Sequence, residues 1–317
     1  MTFAGPVVEV AEAAMGTVFA VQLSDPTGSW EVDALRAEAH RALTAVHDVE
    51  RVCSRFDATS ELRRLSDHIG EPVPGSPLLV ELLALALAIA EASDGAFDPT
   101  VGAAMLAHGF DRHWRTDVAV GDVGRVSPPR HGGWRDLTVD QARGTIRLDA
   151  AHQLDLGALA KGFAVDLVAA AIPHALSASI HAGGDVRCVG AHPEGRAWTI
   201  GVRSPTHTDR FAAVAHIADG AVCTSGDYER VNAAGVHHLL DPRTGHAATG
   251  FRSVSVVAPT AVVADGLATA AFVLGPARAA DWLATQHVDA LLIAPDAEPH
   301  TVTGAGTTTW ELLPLDS

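Results

Sequence analysis

Apolar and polar residues alternate along this chain with two different periods, and the switches between them lay out its elements. Residues 7–23 read as a pair of strands with Met15-Gly16-Thr17 at or near the turn. Over residues 31–52 the period changes. Val32, Leu35, Ala39, Leu43, Val46 and Val49 recur at three- and four-residue spacing, which predicts an amphipathic helix. Ser60-Glu61-Leu62 can open a short helix. Residues 76–93 form the most apolar run, LLVELLALALAIAEA over 78–92; Glu81 interrupts it and it is too short to span a bilayer, so it reads as a buried helix. The DGAFDPTVG that follows carries Gly95 and Asp98-Pro99, a turn signal.

Residues 103–136 lack either period. They are rich in Gly, Pro, Arg and His, include Trp114 and Trp134, and read as an insertion or surface segment, with 110–135 as its variable part. Two short strands are expected over 137–149 and a turn running into a helix over 154–172. SASIHAGGDVRCVG reads as strand, Gly-Gly turn, strand; WTIGVRSP and AAVAHIADGAVCTSG alternate as further strands. HHLLDPRTGHAATG is a loop with a turn, followed by a strand at 253–258, a helix from AVVADGLATAAFVLG and a strand from VDALLIAP. Strands outnumber helices and several are joined as hairpins, which predicts an α+β fold rather than a doubly wound sheet. Neither a repeat nor a long linker divides the chain, so residues 1–317 are expected to form one domain, with room for two lobes.

Composition narrows the function. The formal net charge of −16 argues against a nucleic-acid or anionic-membrane surface. It also means that any phosphate-bearing ligand needs local help from backbone N–H groups, a few cations or a divalent metal. Cys53, Cys188 and Cys223 lie far apart without CxxC spacing, so neither a zinc site nor a disulfide framework is expected. The first residues show no basic region leading into an apolar run, and a cytoplasmic protein without a membrane anchor is expected. No GxGxxG links a strand to a helix and no GxxxxGK[ST] occurs, which disfavours dinucleotide-fold and P-loop readings.

One lysine stands among 22 basic residues: Lys161, in LDLGALAKGFAVD. Lys is a compact point charge on a flexible stem and Arg a planar fork, so a Lys kept in an Arg-rich chain suits a tight site near phosphate or ribose oxygens, although a stray solvated Lys would look the same. Asp155 to Lys161 lead into a helix whose N-terminal amides attract anions, with Lys161 one turn in; an ordinary capped helix reads alike. Asp265 and Thr269, four apart on one helix face, offer oxygen ligands suited to Mg²⁺ or Ca²⁺; the plainer alternative is Asp265 as an N-cap. Gly183-Gly184-Asp185 permits close backbone approach by a ligand and equally suits a hairpin turn. His238, beside Asp241-Pro242-Arg243-Thr244-Gly245, is placed to act as a general base, or is structural.

Taken in order, MGT, SRFDATSEL, DGAFDPTVG, DLGALAKGFAVD, HAGGDV, TSGDYER, HHLLDPRTG and ADGLATA resemble the ApbE family of FAD:protein FMN transferases over about residues 13–295, the 110–135 stretch excepted. The resemblance implies an ApbE-like fold of mixed, mainly antiparallel sheets flanked by helices. It also implies Mg²⁺-dependent transfer of the FMN half of FAD to a Thr or Ser hydroxyl of a target protein, with AMP released. Met15, Phe56, Ala96, Phe97, Asp98, Asp155, Lys161 and Leu239 would then contact FAD. Ala158 (through its carbonyl), Asp265, Ala268 and Thr269 would hold the metal, and His238 would be the base. Many relatives of this kind carry an export signal and lipobox that this sequence lacks. Two rivals share the same residues: an FAD pyrophosphatase giving FMN and AMP, and a non-enzymatic flavin-binding protein, against which the Asp265/Thr269 pair argues.

Overall fold

A tight hairpin opens the fold. In this computed structural model, which describes residues 5–113, 115–117, 119–120, 132–207, 209–295 and 298–314, β1 (Val7–Ala14) and β2 (Thr17–Ser24) pair antiparallel with Ala14 opposite Thr17. The two-residue turn needs positive φ at both positions. Gly16 meets this freely at φ 79°, and Met15 adopts φ 51°, where its N–H donates to Glu50 Oε1 at 3.0 Å. The expected helix follows as α1 (Val32–Cys53), burying Leu35, Leu43, Val46 and Val49. Ser60 caps the short α2 (Glu61–Arg64) by accepting from the Arg63 N–H at 3.1 Å.

Beyond a short strand, β3 (Pro72–Pro74), the apolar run becomes α3 (Pro77–Ala92), started by a Ser76 cap and Pro77; it turns Glu81 to solvent and buries Leu79, Leu82, Leu83 and Ala86. Next come α4 (Gly102–Ala107), then β4 (Leu137–Asp140) and β5 (Thr145–Leu148), which join β3 in a small sheet ordered β3-β5-β4. Trp114 and residues 121–131 of the irregular stretch lie outside the described residues.

The second half builds the main sheet. It comprises α5 (Ala160–Ala171), β6 (Ser177–Ala182), β7 (Asp185–Val189), β8 (Trp198–Arg203), β9 (Phe211–Ile217), β10 (Gly220–Gly226), the short pair β11 (Leu240–Asp241) and β12 (His246–Ala247), β13 (Ser253–Ala258), α6 (Ala261–Leu274), α7 (Pro276–Thr285), β14 (Asp289–Ile293), β15 (His300–Val302) and β16 (Thr309–Leu312). Eight strands run in the order β1-β2-β6-β7-β10-β13-β14-β15, and every pairing among the described residues is antiparallel. The fold is α+β, as the sequence predicts. Its strands alternate between two cores. Ala221, Cys223, Val254 and Val256 face α1, α5 and α6, whereas Val222, Val257 and Cys188 face a three-stranded sheet, β16-β9-β8, through Trp198, Ile200 and Ile217. Among the described residues no helix is long and apolar enough to cross a membrane.

Two local arrangements set the geometry of the site. Asp166, on α5, accepts from the N–H groups of Ala261 (2.9 Å) and Val262 (2.8 Å) and so caps α6. Gly162 lets the two helices close up, since a Cβ there would lie 2.6 Å from the Ala261 carbonyl oxygen. Asp265 therefore sits inside α6 and is not its N-cap, and Lys161 lies in the first turn of α5 rather than one turn in. A third arrangement fastens the chain's end: the buried Asp289 carboxylate accepts five backbone N–H bonds, from Gly304, Ala305 and Gly306 on Oδ1 and from Thr307 and Thr308 on Oδ2.

Candidate active site

A cavity of about 470 Å³ opens where the β1–β2 turn, the end of α1, the start of α5, the β6–β7 turn, β10 and α6 converge. Lys161 lines it. Its Nζ lies 3.1 Å from Asp265 Oδ2 and 3.2 Å from Asp185 Oδ2, and it donates weakly to the Gly157 carbonyl at 3.5 Å. Both carboxylates are nearly inaccessible, with side chains 2% (Asp185) and 5% (Asp265) exposed. Asp185 reaches this point because Gly183-Gly184 turns the chain tightly; Gly184 passes so close to β10 that a Cβ would lie 3.1 Å from the Thr224 carbonyl oxygen. Burial opposes the charge on Lys161, but the two carboxylates outweigh it and hold its pKa above the ordinary value. Burial, and then the Asp185 charge, push the Asp265 carboxyl up, with Lys161 pulling the other way. One ammonium thus serves two buried carboxylates, and Asp185 Oδ2 has no hydrogen bond of good geometry.

One helical turn beyond Asp265, the Thr269 hydroxyl lies 3.0 Å from Ser225 Oγ, so the predicted i, i+4 pair does face the cavity. Ala158 also lines it. Ala268, three residues from Asp265 and so near its face, is fully buried within α6 and is not among the residues lining the cavity.

The remaining expected residues all reach the cavity wall: Met15, Phe56, Ala96, Phe97, Asp98, Asp155, His238 and Leu239. The two carboxylates among them are already engaged. Asp98 Oδ1 accepts from the Thr100 N–H (2.8 Å) and hydroxyl (2.6 Å), and Oδ2 from the Trp134 N–H at 3.3 Å. Asp98 thereby shapes the 96–100 turn, and burial raises its pKa against those bonds. Asp155 Oδ1 accepts from Gly157 N–H at 2.7 Å and its Oδ2 pairs with Arg55 Nε at 2.9 Å. The Arg55 guanidinium stacks 4.2 Å above the Phe56 ring and also donates to the Phe110 carbonyl.

His238 is strongly perturbed. Burial first, then the positive charges of Arg230 and Lys161, lower its pKa to about 3, so the imidazole is neutral. Its Nδ1 is buried without a hydrogen bond, and the Phe110 ring stands edge-on at 6.5 Å. Phe110, Arg112 and His113 line the cavity as well, so the start of the stretch read as an insertion belongs to the site. Asp185, Ser225, Arg55 and Arg230 are site residues that the sequence reading did not select. For Asp185 the signal was present in HAGGDV, but a Gly-Gly turn accounts for those residues equally well.

The chain is similar to known proteins over most of its length. The ApbE family model matches residues 15–292. The chain is 36% identical over 312 residues to the FAD:protein FMN transferase of Treponema pallidum (strain Nichols), covering 90% of this chain and 84% of that one. It is 30% identical over 287 residues to the Haemophilus influenzae protein of the same name, covering 86% and 82%. Among solved structures, the ApbE protein from Thermotoga maritima superposes with a TM-score of 0.81 at 29% identity, covering 94% of this chain and 97% of that one. The flavin transferase ApbE from Vibrio cholerae gives 0.77 at 25%, covering 94% and 98%. These matches place the chain among transferase enzymes. It belongs to the ApbE family.

Proposed function

We propose that the cavity takes FAD and transfers its FMN half to a Thr or Ser hydroxyl of a target protein, releasing AMP, in the presence of Mg²⁺. The observation that carries this reading is the buried Asp185–Lys161–Asp265 cluster beside Thr269, in one cavity with a neutral histidine. Two buried carboxylates against one ammonium leave negative charge uncompensated, which is costly. A pyrophosphate would add to it. A hard divalent cation offsets both, and the donors present are oxygens that suit it: the Asp265 carboxylate, the Thr269 hydroxyl and the Ala158 carbonyl. When bound, Mg²⁺ supplies charge neutralisation and orientation at the pyrophosphate.

The chain's own residues do the rest. Met15, Phe56 and Phe97 give an apolar wall for the isoalloxazine ring. Lys161 offers a point charge near the pyrophosphate oxygens. In the transfer, the acceptor oxygen forms a bond to the FMN phosphorus as the bridging P–O bond to AMP breaks. His238, uncharged in the ligand-free protein, takes the proton from the acceptor hydroxyl; a pyrophosphate bound beside it offsets the Arg230 and Lys161 charges that otherwise weaken it as a base. The name of the curated relatives, FAD:protein FMN transferase, supports the FMN-transfer reading.

The test mixes the purified protein with FAD, Mg²⁺ and a candidate acceptor domain, following AMP release and the acceptor's intact mass. An FMN adduct with stoichiometric AMP is expected. AMP and free FMN with no adduct on any acceptor would make the chain an FAD pyrophosphatase, and FAD binding without AMP would make it a flavin-binding protein.

A further inference from the structure

Four described cations line the cavity, and three of them are already committed. Arg55 pairs with Asp155 at 2.9 Å, Arg112 with Asp117 at 3.2 Å, and Lys161 with Asp185 and Asp265. Arg230 is the fourth, and no carboxylate among the described residues pairs with it, in a chain whose 38 acidic residues outnumber its 22 Lys and Arg. Its place is fixed by backbone rather than by side-chain contacts. The Arg230 carbonyl accepts the His238 N–H at 3.0 Å, Val231 and His237 form an antiparallel bridge, and Asn232 closes the loop through Val236 (2.9 Å) while its side chain donates to the His108 carbonyl at 2.7 Å. The preceding residue, Glu229, faces Arg203 at 3.9 Å.

We propose that Arg230 is a substrate-contacting residue that binds a phosphate oxygen of the dinucleotide's pyrophosphate and fixes that anion beside His238; the assignment rests on the FAD reading above. An unpaired guanidinium on a cavity wall presents a fork of N–H donors that matches phosphate geometry. Arg55 cannot turn to a phosphate without giving up the largely buried Asp155 carboxylate, Lys161 is shared between two buried carboxylates, and Arg112 is paired with the exposed Asp117. Arg230 is exposed, as a solvated surface arginine would be, but it also lines the cavity, and its carbonyl accepts from the backbone N–H of the candidate base. Its charge is also, after burial, one of the causes that keep His238 neutral, which puts the guanidinium within electrostatic reach of that imidazole.

The experiment compares FAD with riboflavin, which shares the ring system and lacks both phosphates. Binding of each to the Mg²⁺-loaded wild type, Arg230→Gln and Arg230→Lys is measured by calorimetry, with circular dichroism confirming that the variants fold. Arg230→Gln is expected to weaken FAD by about 10- to 100-fold, the range of one charge-assisted hydrogen bond, and to leave riboflavin affinity within about 2-fold; Arg230→Lys should recover part of the loss. Unchanged FAD affinity in Arg230→Gln, or an equal fall for riboflavin, overturns the assignment. A wild type that binds FAD no more tightly than riboflavin overturns the dinucleotide reading itself.

Discussion

Replacing Lys161 by Met removes the positive charge that bridges Asp185 and Asp265 and keeps an unbranched side chain of similar length. Removing one partner of a buried ion pair costs about 3–5 kcal/mol, because the charge left behind is uncompensated. Here two carboxylates are left facing each other, with side chains 2% and 5% exposed. The cost has a pH dependence whose sign follows from Asp265. Burial and the Asp185 charge already raise its pKa, and Lys161 is what opposes them. A carboxylate whose folded pKa exceeds its unfolded value destabilises the fold once ionised, so stability falls as pH rises from the ordinary carboxylate range toward neutrality, and little is lost in acid. Lys161→Met should therefore unfold near wild-type temperature at pH 5 and roughly 5 °C lower at pH 8, taking about 1.5 °C per kcal/mol for a chain of this length. Added Mg²⁺ should restore more of the variant's stability than it adds to the wild type, because the cation stands in for the lost ammonium. The assay is thermal unfolding followed by circular dichroism at both pH values, with and without Mg²⁺. An equal deficit at pH 5 and pH 8, or an equal Mg²⁺ effect on both proteins, would refute the account of this cluster as a charge-deficient site.

Asp265→Ala should abolish Mg²⁺-dependent AMP release while FAD binding persists at reduced affinity; full turnover in this variant would remove Asp265 from the metal site. In the wild type, Mg²⁺ affinity should rise with pH toward neutrality, since the cation requires the ionised form of a carboxyl whose pKa burial has raised, and a calorimetric titration at two pH values checks this. His238→Ala should slow transfer to the acceptor by about 10²- to 10⁴-fold with FAD affinity nearly intact, and parallel loss of both would make His238 a binding or packing residue. In the ligand-free protein the His238 imidazole should show no titration between pH 5 and 8 by NMR, as its pKa of about 3 lies below that window; a midpoint near 6.5 would mean that it is solvated.

Much of the fold was legible because hydrophobic period and capping agree locally. The helix at α1 follows from its three- and four-residue apolar spacing, and α2 and α3 begin at serines that do cap them. The short or late elements were not legible. β3 and β15 have three residues each, too few to show a period, and β16 is defined by pairing with β9 almost a hundred positions earlier. The site was legible as blocks of residues but not as a charge balance. Asp265 carries a local signal that suits a cap as well as a ligand, and what decides between them is Asp166, 99 positions earlier, which caps α6 in its place. Likewise the role of Asp185 depends on a turn that brings it to Lys161, a contact that spacing cannot reveal. Ala268 adjoins Thr269 and lies three residues from Asp265, yet it is fully buried and does not reach the cavity wall, which spacing alone does not reveal.

The Asp289 anchor bears on where this polypeptide can be shortened. The family match ends at residue 292, which invites trimming the remainder. Yet the residues that follow supply all five backbone donors to a buried carboxylate, and they end in the strand that covers one edge of β9. Cutting at residue 303 would leave the Asp289 charge enclosed without donors and bare a row of unpaired peptide groups along β9, the combination that favours chain-to-chain association. A fragment so cut is expected to sediment as aggregate where the full chain stays dispersed, so residues 304–312 act as a seal on the sheet rather than as a dispensable tail.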